Sequence, residues 1–157
     1  MPKEIERKFL LNGNDYRNLS QGKHYRQGYL ASNSESTIRV RTIDNSTAVI
    51  TIKGKKVGFT CPEFEYNIPV EDAIFILTNI CVKPIIEKIR YRVPLGELVW
   101  EIDEFMGENE GLIVAEVELP AENYPVLLPA WVGKEVTLDW KYQNASLVRN
   151  PYKSWSK

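Results

Sequence analysis

The sequence is poor in the residues that mark several common classes of protein. Among its 157 residues there are two cysteines, Cys61 and Cys81, and a single histidine, His24. Neither cysteine has a second ligand at C-x-x-C or C-x-H spacing, so a disulfide framework and a zinc site of that kind are excluded. Both read as buried or idle thiols. No apolar run reaches the roughly 18 residues of a membrane helix. The chain opens Met-Pro-Lys-Glu-Ile-Glu-Arg-Lys, charged at once and without the apolar centre of a signal peptide, so a cytoplasmic protein is expected. An excess of one charge is missing too, since 20 Lys and Arg stand against 21 Asp and Glu for a net charge of -1. A general nucleic-acid binder carries a net basic excess, so neither nucleic acid nor membrane is an expected partner.

What is present describes one ordinary globular unit. A chain of this length buries enough surface for a single core, and 43% hydrophobic with 11% aromatic content is that of a folded domain, here expected over 1–157. There is no internal repeat, low-complexity tract or linker. Turn signals at 12–15, 31–36, 44–46, 54–58, 94–96, 107–111 and from Pro120 onward separate runs rich in Val, Ile, Thr, Tyr and Phe. These runs predict eight strands, over 3–11, 25–30, 36–43, 47–53, 61–68, 85–93, 98–105 and 113–119. Helices are expected over 70–77 and 141–148. The gaps are mostly too short for parallel crossovers, so the fold class is mainly β (α+β), antiparallel, with a few flanking helices. Closing eight strands into a ring would leave no open edge and would enclose a narrow interior.

The strands carry charges on one face. Successive strand side chains point to opposite faces, which puts Glu4, Glu6 and Lys8 on the same side of the first strand. Random placement of this many charges gives roughly 2 like-charged i,i+2 pairs with an apolar residue between them. The sequence has seven: Glu4/Glu6, Glu63/Glu65, Glu101/Asp103, Glu116/Glu118, Arg39/Arg41, Lys88/Arg90 and Arg90/Arg92. A solvated face is the ordinary meaning of such alternation, but like charges at this spacing repel, and a surface built for stability mixes its signs. Acidic pairs on some strands and basic pairs on others make sense if the faces converge on a ligand that needs both. A polyanion held with a divalent metal is such a ligand, because carboxylates suit Mg²⁺ or Mn²⁺ while Arg and Lys take phosphate oxygens. An interior holding all of these groups with Lys53 cannot be a packed core and must hold water and ligand.

Glu4-Ile5-Glu6-Arg7-Lys8 resembles the E-x-E-x-K signature of the CYTH proteins, or triphosphate tunnel metalloenzymes. The ordered set Arg39/Arg41, Lys53, Glu63/Glu65, Glu87-Lys88-Ile89-Arg90, Glu101-Ile102-Asp103 and Glu116-Val117-Glu118 is similar to that family over the whole chain. The resemblance implies an eight-stranded antiparallel closed tunnel barrel with a charged lumen that binds triphosphate compounds with Mg²⁺ or Mn²⁺. Arg26-Gln27-Gly28-Tyr29-Leu30 is most similar to the inorganic tripolyphosphatase branch. Hydrolysis of tripolyphosphate to diphosphate and phosphate is therefore the first expectation, with thiamine triphosphatase, class IV adenylate cyclase and a noncatalytic polyphosphate- or nucleotide-binding module as alternatives. Such a barrel is compatible with a homodimer.

The same resemblance, with the strand pattern, suggests roles. Glu4, Glu6, Glu116 and Glu118 would hold the metal, with Asp103 adding a ligand. Lys8, Arg39, Arg41, Lys88 and Arg90 would clamp phosphate. Alone, Lys53 reads as a solvated lysine of the turn Lys53-Gly54-Lys55-Lys56, and Tyr29 as a packed aromatic. The resemblance matches them to a catalytic pair; neighbouring cations are expected to lower the Lys53 pKa, so that it serves as base toward a water, with Tyr29 oriented by hydrogen bonding. His24 is expected at the surface, and Trp100, Trp131, Trp140 and Trp155 on the outside of the barrel. Gly133-Lys134-Glu135-Val136-Thr137 reads as structural, with Lys134 a candidate for the tunnel mouth.

Overall fold

The computed structural model describes residues 3–33 and 35–155; of the turn expected at 31–36, Ser34 lies outside the described residues. Nine strands form one antiparallel sheet: β1 (Lys3–Leu11), β2 (Lys23–Ser32), β3 (Thr37–Ile43), β4 (Thr47–Lys53), β5 (Thr60–Asn67), β6 (Ile86–Leu95), β7 (Leu98–Phe105), β8 (Ile113–Glu118) and β9 (Val132–Glu135). The spatial order is β5-β4-β3-β2-β6-β7-β8-β1-β9, and β5 also pairs with β1, so eight of the strands close into a ring. β1 makes the closure by dividing its length. Glu4 lies opposite Cys61 of β5, whereas Phe9 lies opposite Glu135 of β9, and β8 runs along the other edge from Glu6↔Glu118 to Leu10↔Val114.

The eight expected strands are all present, with ends moved by a few residues. β9 is an addition: the 133–137 segment is edge strand rather than plain connection, with Val136 N–H bonded to the Lys8 carbonyl and Lys8 N–H to Thr137 Oγ1. Hairpin chemistry explains the tight connections. Asp44 and Asn45 take positive φ between β3 and β4, and they are residue types that tolerate the left-handed region. Gly96 does so between β6 and β7.

The apolar packing lies mostly outside the ring. Phe9, Trp100, Ile102, Ala115 and Val117 on the outer faces of β1, β7 and β8 pack with Tyr16 and Val132, and Trp131 stacks edge-on against Trp100. Helix α1 (Val70–Asn79) covers β3 and β4 through Ala73 and Leu77. It lies so near β2 that a Cβ on Gly28 would stand 2.9 Å from Cys81 Sγ, which explains a glycine between Gln27 and Tyr29. One apolar cluster is different, because it closes one end of the ring. Helix α2 (Asn144–Arg149) buries Leu147 and Val148 against Tyr29, Ile86, Phe105 and Val114, positions that share strand parity with the charged residues. Tyr142 and Tyr152 stack on Trp155 beside this plug. Of the four tryptophans expected to pack outside, Trp140 is 64% exposed and packs least. His24 is half-exposed and pairs with Glu87.

Candidate active site

The ring encloses a cavity of about 520 Å³. Its wall is made by alternate residues of each strand: Glu4, Glu6 and Lys8 of β1, Tyr25 and Tyr29 of β2, Arg39 and Arg41 of β3, Thr51 and Lys53 of β4, Cys61, Glu63 and Glu65 of β5, Arg90 and Arg92 of β6, Glu101 of β7 and Glu116 of β8. Gln143, Asn144 and Ala145 supply the wall at the plugged end. Glu118 borders an adjoining recess with Glu97 and Tyr124, which shares Glu4, Glu6, Arg92, Glu101 and Glu116 with the main cavity.

Strand order sorts these charges by sign. β7, β8, β1 and β5 are consecutive in the ring and bring Glu101, Glu116, Glu118, Glu4, Glu6, Glu63 and Glu65 into one arc. The consecutive strands β4, β3, β2 and β6 bring Lys53, Arg39, Arg41, Arg90 and Arg92 into the other. Acid and base meet at the two seams. Across β6 and β7, Arg90 grips Asp103 through Nε at 2.6 Å and one terminal nitrogen at 2.8 Å, while Arg92 stands 3.4 Å from Glu101. Across β4 and β5, Lys53 stands 3.5 Å from Glu63, and Thr51 hydrogen-bonds Glu65 at 3.0 Å.

Away from the seams the charges are less well met. Arg41 has no acidic partner within 4.0 Å among the described residues; its Nε donates to the neutral Gln27 Oε1 at 2.9 Å, and its guanidinium lies over Tyr25. Burial, then Arg39 and Arg90, push the Arg41 guanidinium down to about 9. It is still a cation at neutral pH. Arg39 leaves its buried Nε without a partner among the described residues. In the acidic arc, burial and then Glu116 and Glu4 raise the Glu6 carboxyl well above the ordinary range. Burial would raise Glu116 as well, but Lys8, Arg90 and a hydrogen bond from Glu6 hold it well below. A hydrogen bond between the two carboxyl groups couples these opposite shifts.

Three expected roles meet a different arrangement. Asp103 and Lys88 have the expected strand parity but are fully buried and do not line the cavity; Lys88 meets the plug at Asn144, and Asp103 is held by Arg90 and Lys88. Both Asp103 oxygens are taken, by Arg90 and by Lys88 Nζ at 2.7 Å, and Lys88 also reaches Asn144 Oδ1 at 3.1 Å. Burial and the neighbouring Arg90 push the Lys88 ammonium down to about 7, against the pull of Asp103. Lys53 departs in the opposite direction from its expected lowering. Burial opposes its charge, but Glu4, whose Oε1 accepts from Nζ at 2.7 Å, and Glu6 outweigh burial and Arg39, so its pKa is raised. The nearest charges are carboxylates across the closure, not the cations of its own turn. Tyr29 lines the cavity opposite Arg39 in the register, and among the described residues no hydrogen bond joins it to Lys53. Lys134 is exposed on β9 and does not line the cavity.

The residues not foreseen divide into two kinds. Thr51 and Cys61 share parity with charged neighbours on their strands, and Tyr25 and Gln27 with Tyr29, so extending the alternation rule finds them. Gln143 and Asn144 come from a plug whose position no local pattern encodes.

The donor set suits a hard divalent cation. Glu4, Glu6, Glu116 and Glu118 offer carboxylate oxygens from two adjacent strands, and a dication would offset the mutual repulsion that Glu116 and Glu4 exert on Glu6. Among the described residues no three such groups stand together ready to hold an ion. Lys53 on Glu4 and Lys8, 3.5 Å from Glu116, occupy part of the set.

Known proteins give the same architecture. The CYTH domain model matches residues 2–152. An inorganic triphosphatase of Acetivibrio thermocellus is 47% identical over 157 residues, 100% of both chains. One from Nitrosomonas europaea is 33% identical over 153 residues, covering 92% of this chain and 96% of that one. The crystal structure of an inorganic triphosphatase superposes with a TM-score of 0.63 at 30% identity, over 94% of this chain and 95% of the other. A candidate adenylate cyclase from Bacillus halodurans reaches a TM-score of 0.60 at 16% identity, covering 78% of this chain and 84% of that one, a likeness of fold alone. With the family match running nearly end to end on a ring that closes around a charged lumen, this chain belongs to the CYTH domain family.

Proposed function

We propose that the chain is a metal-dependent triphosphatase, and that it hydrolyses inorganic tripolyphosphate to diphosphate and phosphate. The observation that carries this reading is the division of one cavity into an acidic and a basic arc, with like charges crowded in the middle of each, Glu6 beside Glu4 and Glu116 in one and Arg41 beside Arg39 in the other. A phosphate chain with its metal ion is the ligand that satisfies both. The relatives matched over almost their full length bear the name inorganic triphosphatase, which supports the same substrate.

In this reading Arg39, Arg41, Arg90 and Lys8 hold the phosphate oxygens. Hydrogen-bond donors fixed in a narrow, partly dry space stabilise the charge that moves onto those oxygens as the bridging P–O bond breaks. Lys88 and Asp103 act one layer lower, by fixing the Arg90 guanidinium. Glu4, Glu6, Glu116 and Glu118 would hold Mg²⁺ or Mn²⁺, which supplies positive charge to the phosphates and orients them. Asp103 is left out of that set because its oxygens are engaged. Lys53 and Tyr29 remain the proposed catalytic pair. With Glu4 as partner, Lys53 meets the substrate as a cation, and it can accept a proton from water only after breaking that bond and losing one of its own.

Phosphate release from tripolyphosphate, ATP and thiamine triphosphate, each with Mg²⁺ and with Mn²⁺, tests the reading. Tripolyphosphate should turn over fastest. Cyclic nucleotide formed from ATP in preference to phosphate release would make the chain a cyclase, and tight binding without release from any of the three would make it a binding module.

A further inference from the structure

The plugged end of the lumen contains an amide whose orientation is fixed by its neighbours. Arg41 can only donate, so the Gln27 atom that receives its Nε is the oxygen, and Gln27 must present its nitrogen on the other side. That nitrogen lies 3.2 Å from the Asn144 side chain, and the Lys88 ammonium approaches the same Asn144 atom to 3.1 Å. Two donors converge on one atom, which is therefore Asn144 Oδ1. The usual ambiguity between the two ends of an amide is removed. Asn144 Nδ2 must then face away from Gln27 and Lys88. Asn144 lines the cavity, its Nδ2 makes no hydrogen bond among the described residues, and that nitrogen is not sealed from the open space.

The result is a neutral donor held still beside a cationic one. Arg41, Gln27 and Asn144 form a single relay, continued by Lys88 and Asp103 to Arg90, so the amide is tied to two of the guanidinium groups that line the basic arc. Lys8 adds a second tie to the same segment, with Nζ donating to the Tyr142 carbonyl at 3.1 Å. No property of the short helix itself enters; the donor is the side-chain amide. We propose that Asn144 is a substrate-binding residue, whose Nδ2 donates to a terminal phosphoryl oxygen of the triphosphate at the plugged end, next to Arg41. This assignment rests on the triphosphate reading given above.

The substitution Asn144→Asp separates this role from a structural one. It keeps an oxygen for Gln27 and Lys88 but replaces the donor facing the cavity with an anionic oxygen. Asn144→Ala removes both. Kinetics with tripolyphosphate and Mg²⁺ on the full chain should show KM raised about tenfold or more in N144D, and less in N144A, with kcat changed less than KM in both. An unchanged KM in N144D overturns the proposal. So does a raised KM in N144A with N144D unchanged, because the residue would then act only through Oδ1. Should N144D fail to show a cooperative thermal transition, Asn144→Ser takes its place, and an unchanged KM there overturns the proposal equally. If the unaltered chain releases no phosphate, the triphosphatase reading fails by itself. The amide is then tested by the rise in thermal midpoint that metal-free tripolyphosphate produces: loss of that rise in N144D upholds the contact, and retention overturns it.

Discussion

The two arcs of the ring solve the same problem, like charges crowded in a narrow space, in different ways. In the acidic arc the middle pair, Glu6 and Glu116, is eased by Lys8, 3.5 Å from Glu116, and by a hydrogen bond between the two carboxyl groups, which can take up or lose a proton. In the basic arc Arg41 has no such recourse, because a guanidinium does not give up its proton at neutral pH. It is steadied by the neutral Gln27 instead, and its charge stays available. Carboxyl groups can exchange protons for a cation, so the acidic arc can adapt to one, while the basic arc keeps its charge for an anion. The seams have no such freedom. Lys88 and Asp103 are closed to solvent, and with Arg90, which is matched by Asp103 yet lines the cavity, they hold the two arcs together.

Breaking a seam should have the largest effect. Asp103→Ala strands two buried cations and should lower stability by about 3–5 kcal/mol, read from urea unfolding at pH 7. Burial raises the Asp103 carboxyl, but Arg90 and Lys88 outweigh it and hold the pKa below its ordinary value. Its contribution is therefore fully present above the unfolded value of about 4 and is lost as pH falls through the lower folded value. The urea midpoint should drop on acidification below about pH 4, and by less in the variant. Next comes the acidic arc. Glu116→Gln should reduce kcat by about 10²–10³, near 2.7–4 kcal/mol, with Mg²⁺ titration shifted to higher concentration. Chelation of the metal should abolish turnover in the unaltered chain, and added Mg²⁺ or Mn²⁺ should restore it.

The basic arc should respond through binding. Arg41→Met should raise KM for tripolyphosphate about tenfold to a hundredfold while leaving stability nearly unchanged, since no ion pair is lost. A stability loss comparable to that of Asp103→Ala would remove the distinction between seam and middle. The smallest effect belongs outside the ring. Arg7 and Glu135 make a two-pronged pair at 2.9 and 2.6 Å between β1 and β9, partly exposed on the outer surface. Arg7→Gln should cost under about 1 kcal/mol in thermal unfolding and leave turnover intact.

Much of this was legible because a strand writes its geometry into sequence with a period of two. Glu4/Glu6, Arg39/Arg41 and Glu116/Glu118 announced an inward charged face, and Asp44-Asn45 and Gly96 announced the hairpins that set its register. What failed was the reading of environment. Lys53 sits in a basic turn along the chain, yet its nearest charge in space is Glu4, 49 positions away, brought there by the closure of β1 on β5. Asp103 has the alternation of a metal ligand, but Arg90 and Lys88 of the neighbouring strand take both its oxygens. β9 was hidden because its pairing is with half of β1 only.

The sequence by itself determined the antiparallel strands, the faces that carry charge and the near balance of the two signs, since these follow from local propensity, side-chain parity and composition. Tertiary structure alone decided which charges meet. In chain order the acidic strands β1 and β5 are separated by the basic β3 and β4, and only ring closure makes them neighbours. Charge interactions depend on distance and burial rather than on sequence separation. Closure thus turned an alternating list of charges into two opposed arcs, and the plug decided which members of each arc a ligand can reach.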